Sequence, residues 1–171
     1  GYFVQRWGVP TSWSDVILQG PHLHVSTPLY KQPNPTMRHN QDWSETDFET
    51  LSTDAIPATS YKPAGDRTKY DRDYTHWNGK PARDDYRVAW RRMAANTGER
   101  TLIPAIIPPG AAHVHPVHSA GGVAVRDLAR ATAAASALLS DFAVRAVPKG
   151  DIHPSTLSRL PLPPADNALT P

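Results

Sequence analysis

Two apolar runs in the middle of the chain give the clearest pattern of strands. Residues 86–93 place an apolar or aromatic side chain at alternate positions, and residues 101–107 are apolar on both faces. Aromatic and β-branched content favours strands over a helix, although the first run also fits a helical spacing. A turn at residues 96–99 separates the runs, which predicts an antiparallel hairpin with a long loop. Pro104 predicts that the second strand lies at a sheet edge or on a bulge.

The pattern is weaker before this hairpin. Residues 16–20 predict a short strand that ends at a Gly-Pro pair, and residues 22–26 alternate as a second strand would. Residues 31–50 are polar and predict a loop, and residues 51–60 suggest a further strand. Residues 61–85 are rich in Lys, Asp, Arg, Gly and Pro, which predicts an exposed excursion.

Residues 123–146 carry the clearest helical period. Their apolar side chains recur at intervals of three and four, which predicts one long helix packed along a single stripe. Gly121, Gly122 and a possible N-cap region at Ser119 precede this segment, and Pro148 and Gly150 follow it. The members of the stripe are Ala124, Leu128, Ala131, Ala135, Leu138 and Phe142.

These elements predict one α+β domain over residues 1–171, with a mixed, mostly antiparallel sheet, long loops and one long C-terminal helix. Residues 1–118 form its strand-rich part, 119–147 the long helix, and 148–171 an extended tail. The 18 prolines also argue against a helical bundle. No apolar run is long enough to cross a membrane, so no membrane partner is expected. The chain begins without Met or a signal-like stretch, and we expect it to be part of a longer protein.

Charge is distributed unevenly along the chain. The formal net charge is only +2, but residues 61–92 hold nine Lys or Arg against five Asp. Cations interleaved with aromatic residues can contact phosphates and bases. A solvated surface of mixed charge is the alternative, as are core aromatic residues with arginines lying over them. The candidate DNA contacts are Lys62, Arg67, Lys69, Arg72, Lys80 and Arg83. Arg87 and Arg91 are second choices, because the strand that carries them could serve a structural role instead.

Histidines provide the second candidate chemistry. His113, His115 and His118 recur at a spacing that can bind zinc, and His22 and His24 repeat it. A zinc hydrolase would also need a carboxylate ligand or base, and none lies close along the chain. These histidines could equally bond the backbone or meet the phosphate of a ligand. We therefore expect neither a metal site nor a catalytic residue in this chain.

Several catalytic motifs are missing from the sequence. It contains no glycine-rich phosphate loop, no Gly-x-Ser-x-Gly elbow and no cysteine nucleophile. The adjacent pair Asp84 and Asp85 would point to opposite sides of a strand, which disfavours a general acid and base pair.

Residues 99–110 read Glu-Arg-Thr-Leu-Ile-Pro-Ala-Ile-Ile-Pro-Pro-Gly. Together with the Arg-x-x-x-Arg pattern in residues 85–93, this stretch resembles the C-terminal target-recognition region of N6-adenine DNA methyltransferases. Residues 138–145 and 151–163 resemble the next two elements of that region, in the same order. Residues 18–31 are similar to its start, whereas residues 61–83 match poorly.

This resemblance implies a DNA sequence recognition module of a site-specific adenine-N6 methyltransferase that uses S-adenosylmethionine, from a bacterial restriction–modification or phage-defence system. It implies a cytoplasmic protein with two partners, double-stranded DNA and an upstream methyltransferase domain of the same chain. The cofactor loop and the Asn/Asp-Pro-Pro-aromatic catalytic loop are missing, so this part of the protein would hold no cofactor and methylate nothing. Two alternatives stay open: a metal-dependent hydrolase built on the histidines, and a protein-interaction module whose Ala-rich helix docks a partner.

Overall fold

A computed structural model describes residues 1–147, 150–164 and 166. Within these residues the chain forms eleven short strands and four helices, so the expected mixture of α and β structure is confirmed. The strands are β1 (Phe3–Gly8), β2 (Ile17–Leu18), β3 (Lys31–Pro33), β4 (Trp43–Glu45), β5 (Thr59–Pro63), β6 (His76–Trp77), β7 (Lys80–Pro81), β8 (Arg87–Arg91), β9 (Pro104–Ile107), β10 (Ala112–His113) and β11 (Val117–Gly121). The helices are α1 (Arg67–Asp73), α2 (Val125–Ser136), α3 (Leu138–Ala146) and α4 (Pro154–Leu157).

The central sheet is antiparallel and has the order β11–β8–β9. Strands β8 and β9 form the predicted hairpin, with Ala89 opposite Ala105 and residues 92–103 as its long loop. Pro104 begins β9, which is an edge strand of this sheet, as its missing N–H donor requires. The central hairpin and the edge position of Pro104 are therefore confirmed.

Hydrophobic residues cover both faces of this sheet. On one face Val88 and Trp90 pack with residues of α2 and α3 and with Ile152, whose carbonyl accepts a hydrogen bond from Trp90 Nε1 at 2.8 Å. On the opposite face Ala89 and Ala105 pack against a cluster drawn mainly from the first 25 residues and from the segment after β9. Burial on both faces explains why residues 101–107 are apolar without alternation.

The N-terminal half consists of small two-stranded ladders. Strand β1 pairs with β5 in antiparallel fashion, and β2 pairs in parallel with β10. The alternating residues 22–26 do not form a strand: His22 ends a 3-10 turn and is fully buried, so the prediction there was wrong. His22 and its neighbour Leu23 are both fully buried, so the alternation of polar and apolar residues here does not correspond to an alternation of burial.

Residues 31–50 contain the β3–β4 hairpin, where the sequence predicted only a loop. Asp42 organises the connection between its strands. Its carboxylate accepts hydrogen bonds from Thr36 Oγ1, Arg38 N and Asn34 Nδ2 at 2.6, 2.9 and 2.8 Å. These donors, Thr36 foremost, lower the pKa of Asp42 to about 2. Hydrogen bonds between polar side chains, and from the nearby backbone to Asp42, therefore stabilise this hairpin. The apolar pattern from which strands are usually recognised is missing here.

The excursion at residues 61–85 is folded onto the domain. Asp66 caps α1 by accepting a hydrogen bond from Lys69 N, and Tyr70 of that helix stacks on Tyr2 with the ring centroids 4.1 Å apart. The β6–β7 hairpin rests through Trp77 on the end of β11. A Cβ at Gly121 would lie 2.9 Å from Trp77 Cζ3, so this contact requires glycine.

The predicted single helix over residues 123–146 was wrong. It is divided into α2 and α3 at Ala137, which adopts an extended conformation with ψ of 147°. The last carbonyls of α2 have partners outside a continuing helix: Ser140 Oγ donates to Ala134 O at 2.7 Å, and Arg100 Nη2 donates to Ser136 O at 2.6 Å. Because these carbonyls are satisfied elsewhere, the chain can turn without proline or glycine at the break.

The turn brings the buried Asp141 of α3 onto the start of the segment that becomes β9. Its Oδ1 accepts hydrogen bonds from Thr101 N at 2.8 Å and from Leu102 N at 2.7 Å. Arg145 Nε lies 3.0 Å from Oδ2, and Arg100 Nε lies 3.6 Å from Oδ1. We call these residues the Asp141 cluster; they join two parts of the chain that are about 40 positions apart.

The same turn exposes apolar side chains of α3. Leu138, Leu139 and Phe142 are 74%, 67% and 68% exposed, although the predicted stripe placed Leu138 and Phe142 in the core. Leu128 and Ala135 of α2 are buried, whereas Ala124 is exposed, so only part of the stripe before the break is buried. We call Leu138, Leu139 and Phe142 the apolar face of α3.

The predicted extended tail contains a short helix, α4, which begins at Pro154. Just before it, Asp151 pairs with Met93 in an isolated β-bridge. Residues 148, 149, 165 and 167–171, which include the expected stop signal Pro148, lie outside the described residues. Among the helices of the described residues, none combines the length and apolar character that crossing a bilayer requires.

Leu138→Glu should change the free energy of unfolding by no more than about 0.5 kcal/mol, because the side chain is already in solvent. The matched control Leu128→Glu should prevent folding, since it buries a charge between α2 and the sheet. Urea denaturation followed by circular dichroism measures both. Equal destabilisation by the two substitutions would contradict the break at Ala137.

Asp141→Asn should lower the free energy of unfolding by about 3 kcal/mol, because it removes the buried charge that two N–H groups and two guanidinium groups surround. Asp127→Asn is the control: Asp127 lies on α2, more than half exposed, beside Arg130. It should cost less than about 1 kcal/mol. Urea denaturation measures the free energy of unfolding of both variants. Similar small losses in the two would refute the stabilising role given to the Asp141 cluster.

Candidate nucleic-acid interface

The β1–β5 ladder and α1 together carry several cations that are at least partly exposed. Lys69 lies on the exposed side of α1, and Lys62 lies on β5 with its stem across Gly8 of β1. Neither lysine has an ion-pair partner within the described residues. Both are therefore available to phosphate groups without first giving up a carboxylate.

Arg6 is an exposed cation that the sequence analysis missed. It lies in β1, where the register with β5 shifts between Gln5 and Gly8. Such irregularities redirect side chains at sheet edges. Arg6 is 56 positions from Lys62 in sequence, and only the β1–β5 pairing brings their strands together. A local count of charge along the chain has no signal for this neighbour.

Three further candidates are exposed but paired with aspartates. Arg72 Nε lies 3.0 Å from Asp73, and Lys80 Nζ lies 2.6 Å from Asp85. Arg67 Nε lies 3.7 Å from Asp71 on the same helix. Exposed ion pairs contribute little free energy, so a polyanion can compete for these cations.

Arg83, by contrast, lies inside the protein and is 2% exposed. Its Nε faces the carboxylate of Asp71 on α1 at 2.6 Å, and its Nη1 donates to Gly110 O at 3.1 Å. The side chain thereby ties α1 to the turn after β9. This internal position leaves Arg83 without the surface exposure that a direct DNA contact needs in this conformation.

The second-choice residues of β8 also bond the interior. Arg87 is 2% exposed and donates through Nη2 to Ala111 O. Arg91 is partly buried and donates to Gly20 O at 2.8 Å and to Leu23 O at 2.6 Å. Both lie on the face of the sheet that covers the N-terminal half, and both hold irregular backbone in place.

Arg91 also borders a polar groove of about 460 Å³ between the β3–β4 hairpin and the loop at residues 92–103. The groove combines rings, amides and cations, which are the side chains that contact base edges. Sequence reasoning did not find it because its residues come from distant segments. They include His24, Tyr30, Lys31, Asn40, Gln41, Trp43, Arg91 and Arg100.

The candidate histidines fall into separate groups: His113, His115 and His118 border one small pocket beside β11, whereas His22 and His24 lie in the N-terminal half. His22 accepts a hydrogen bond from Gln19 N at Nδ1, so its Nε2 carries the proton and donates to Ala58 O at 2.9 Å. His24 packs on Tyr30, and His115 contacts Arg92. Among the described residues there is no group of three or more His, Asp or Glu side chains that could hold a metal ion.

Comparisons with protein-family models, with curated proteins and with solved structures found no match to this chain.

Burial makes His22 a source of acid instability. It lowers the pKa of His22 to about 4 from an unperturbed 6.5, so folding favours the neutral ring. The stabilisation that the neutral His22 ring gives to the folded state is complete above pH 6.5. It is lost as the pH falls towards 4, because the unfolded state binds the proton first. Over that window the loss should be about 3 kcal/mol. Burial and the nearby Arg87 lower the pKa of His113 to about 4 as well.

His22→Gln should therefore flatten the fall in unfolding free energy between neutral pH and about pH 5. The exposed His39 offers the control: His39→Gln should leave the pH dependence unchanged. Urea denaturation at a series of pH values measures both. A His22→Gln profile parallel to that of the unsubstituted protein would rule out a buried neutral ring.

Proposed function

We propose that this chain is the DNA sequence recognition module of an adenine-N6 methyltransferase that uses S-adenosylmethionine and acts in a bacterial restriction–modification or related defence system. The catalytic domain and its cofactor belong to another part of the parent protein. This module selects the DNA site and transfers no methyl group itself. The parent acts in the cytoplasm on double-stranded DNA.

The observation that carries the proposal is the Asp141 cluster. Two of the stretches that resemble the methyltransferase region, residues 99–110 and 138–145, are separated in sequence and meet through Asp141. Arg100 comes from the first stretch and Arg145 from the second. Residues that match a family pattern in separate pieces and then form one contact set support a shared framework rather than a chance likeness.

The surface residues also support this proposal, because they lie where the resemblance is weakest. Residues 61–83 match the pattern poorly, and they hold the exposed cations Lys69 and Arg72 and the partly buried Lys62. A recognition module needs a rigid frame and a surface that can change without unfolding it. Exposed lysines and arginines would position the module on the phosphate backbone, and side chains in the grooves would read the bases.

Lys62→Glu/Lys69→Glu should weaken binding of the chain to a fluorescein-labelled DNA duplex by about tenfold or more at low salt. It should also reduce the slope of log affinity against log salt concentration by about 2, since two phosphate contacts are lost. Fluorescence anisotropy over a salt series gives both values. Arg6→Glu should add a further, smaller loss.

The matched control is Arg38→Glu/Arg159→Glu, which makes the same change of charge at exposed positions outside the β1–β5 ladder and α1. It should lower affinity much less, through net charge alone. Equal effects of the two double variants would show non-specific attraction. An unchanged salt slope for Lys62→Glu/Lys69→Glu would reject these residues as phosphate contacts.

A second candidate function, protein interaction, is favoured by the apolar face of α3. Large apolar side chains grouped on a surface mark contact sites in soluble proteins. In this reading the chain pairs with a second copy through Leu138, Leu139 and Phe142. Sedimentation velocity should then find a dimer that Leu138→Glu dissociates without unfolding the chain. A wild-type monomer at high concentration would reject this self-association.

A further inference from the structure

A small polar pocket at the free edge of β11 is not explained by the proposed DNA surface. It has a volume of about 240 Å³ and lies between β11, the β6–β7 hairpin and the segment around β10. Its chemistry-bearing lining is Tyr74, Trp77, Arg87, His113, His118 and Ser119.

Arg87 is the unusual member of this lining. Although it is 2% exposed, its guanidinium has no carboxylate partner in the described part of the chain, and its Nε has no hydrogen-bond acceptor there. Arg83, four positions earlier and equally buried, has Asp71 at 2.6 Å. A buried charge is costly unless it is paired, so Arg87 lacks the partner that Arg83 has.

Other groups around the pocket are also suited to an anion. Ser119 lies opposite Ala89 in the β11–β8 ladder, so its side chain is on the same face of the sheet as Arg87, whereas His118 lies opposite Trp90 on the other face. His113 Nε2 and Ser119 Oγ are 2.9 Å apart, so the hydroxyl can turn from the ring to a ligand. No Asp or Glu lines the pocket within the described residues. The lining therefore offers donors and a positive charge, with no acidic group in the lining itself.

Pocket size limits the ligand. Sites for drug-sized molecules usually exceed about 300 Å³, so this pocket suits one small group. Guanidinium groups bind phosphate oxygens through several directed hydrogen bonds, which a carboxylate with two oxygens exploits less fully in a pocket with donors on several sides. The rings of Tyr74 and Trp77 form a wall beside that position.

We propose that this pocket binds a phosphate group, held by Arg87 with Ser119 and His113. The inference depends on the unpaired cation and its neighbours, and it holds whether or not the chain recognises DNA. Lys62 and Lys69, which carry the test of DNA binding, do not line this pocket.

Isothermal titration of the chain with inorganic phosphate should show saturable binding with a dissociation constant in the millimolar range or tighter. Sodium chloride and sodium acetate at matched ionic strength should produce no comparable heat. Nitrogen-15 NMR of the histidine rings should show the His113 ring shifting along the same binding curve. No saturation with phosphate, or equal responses to acetate, would overturn the proposal.

Ser119→Ala is the decisive variant because Ser119 is only partly buried, and its loss should weaken phosphate binding about tenfold. Arg87→Gln should abolish binding; circular dichroism checks that it still folds, and Ser119→Ala decides if it does not. The exposed His39→Gln is the control and should bind phosphate like wild type. Wild-type affinity in Ser119→Ala would remove the pocket as the site.

A competition experiment identifies the source of the phosphate. If phosphate displaces a labelled duplex from wild type but not from Ser119→Ala, the pocket takes a backbone phosphate of DNA. If duplex and phosphate bind independently, the pocket serves a free phosphorylated ligand. Either outcome requires phosphate binding in the pocket. Failure of the duplex to bind at all would reject the proposed function and leave the pocket in place.

Discussion

The carboxylate of Asp141 is the contact on which the arrangement of this protein depends. It binds the N–H groups of Thr101 and Leu102 immediately before β9, and so fixes where the long hairpin loop ends. Its position requires the turn at Ala137, because a continuous helix would carry Asp141 away from the loop. Buried carboxylates that accept backbone hydrogen bonds and face guanidinium groups are strongly held in one geometry. The placement of α3 follows from this contact.

The rest of the chain is held together in a related way, by long side chains that bond distant backbone carbonyls. Arg91 reaches Gly20 and Leu23, and Trp90 reaches Ile152. Strands of two to six residues leave much of the backbone without ladder partners. Buried carbonyls need donors, and arginine supplies several from one side chain. A proline-rich chain, with fewer backbone N–H donors, relies on these bonds more than a regular sheet would.

The sequence was sufficient where local pattern and burial agree. The hairpin of β8 and β9 could be predicted because both strands are apolar and a turn separates them, and Pro104 identified the edge. The break at Ala137 could not be predicted, because alanines favour a continuous helix. The contacts that compete with that helix are made by Arg100 and Asp141. Helix periodicity reports the distribution of apolar side chains, and it does not register a partner 40 positions away.

The candidate DNA contacts divide into exposed and buried cations, and tertiary contacts that the sequence does not reveal decide which is which. Arg83 and Lys69 look alike in a count of charge, yet one pairs with Asp71 in the interior and the other is exposed on α1. Solvent exposure decides whether a cation can meet a polyanion, and exposure depends on tertiary contacts. Lysine is rarely buried, whereas arginine often serves inside a protein, so lysines are the more dependable surface candidates from sequence.

Because the exposed lysines take no part in the core, the surface that carries them can change independently of the central sheet and the Asp141 cluster. The central sheet and the Asp141 cluster involve neither Lys62 nor Lys69, and α1 is attached through Tyr70 and through the pair of Asp71 with Arg83. Exposed positions between these anchors can therefore change with little loss of stability. Under the proposed function, such freedom would let the surface vary with the DNA site while the strands stay fixed. The resemblance that underlies this proposal is likewise weakest over residues 61–83, which lie outside the central sheet.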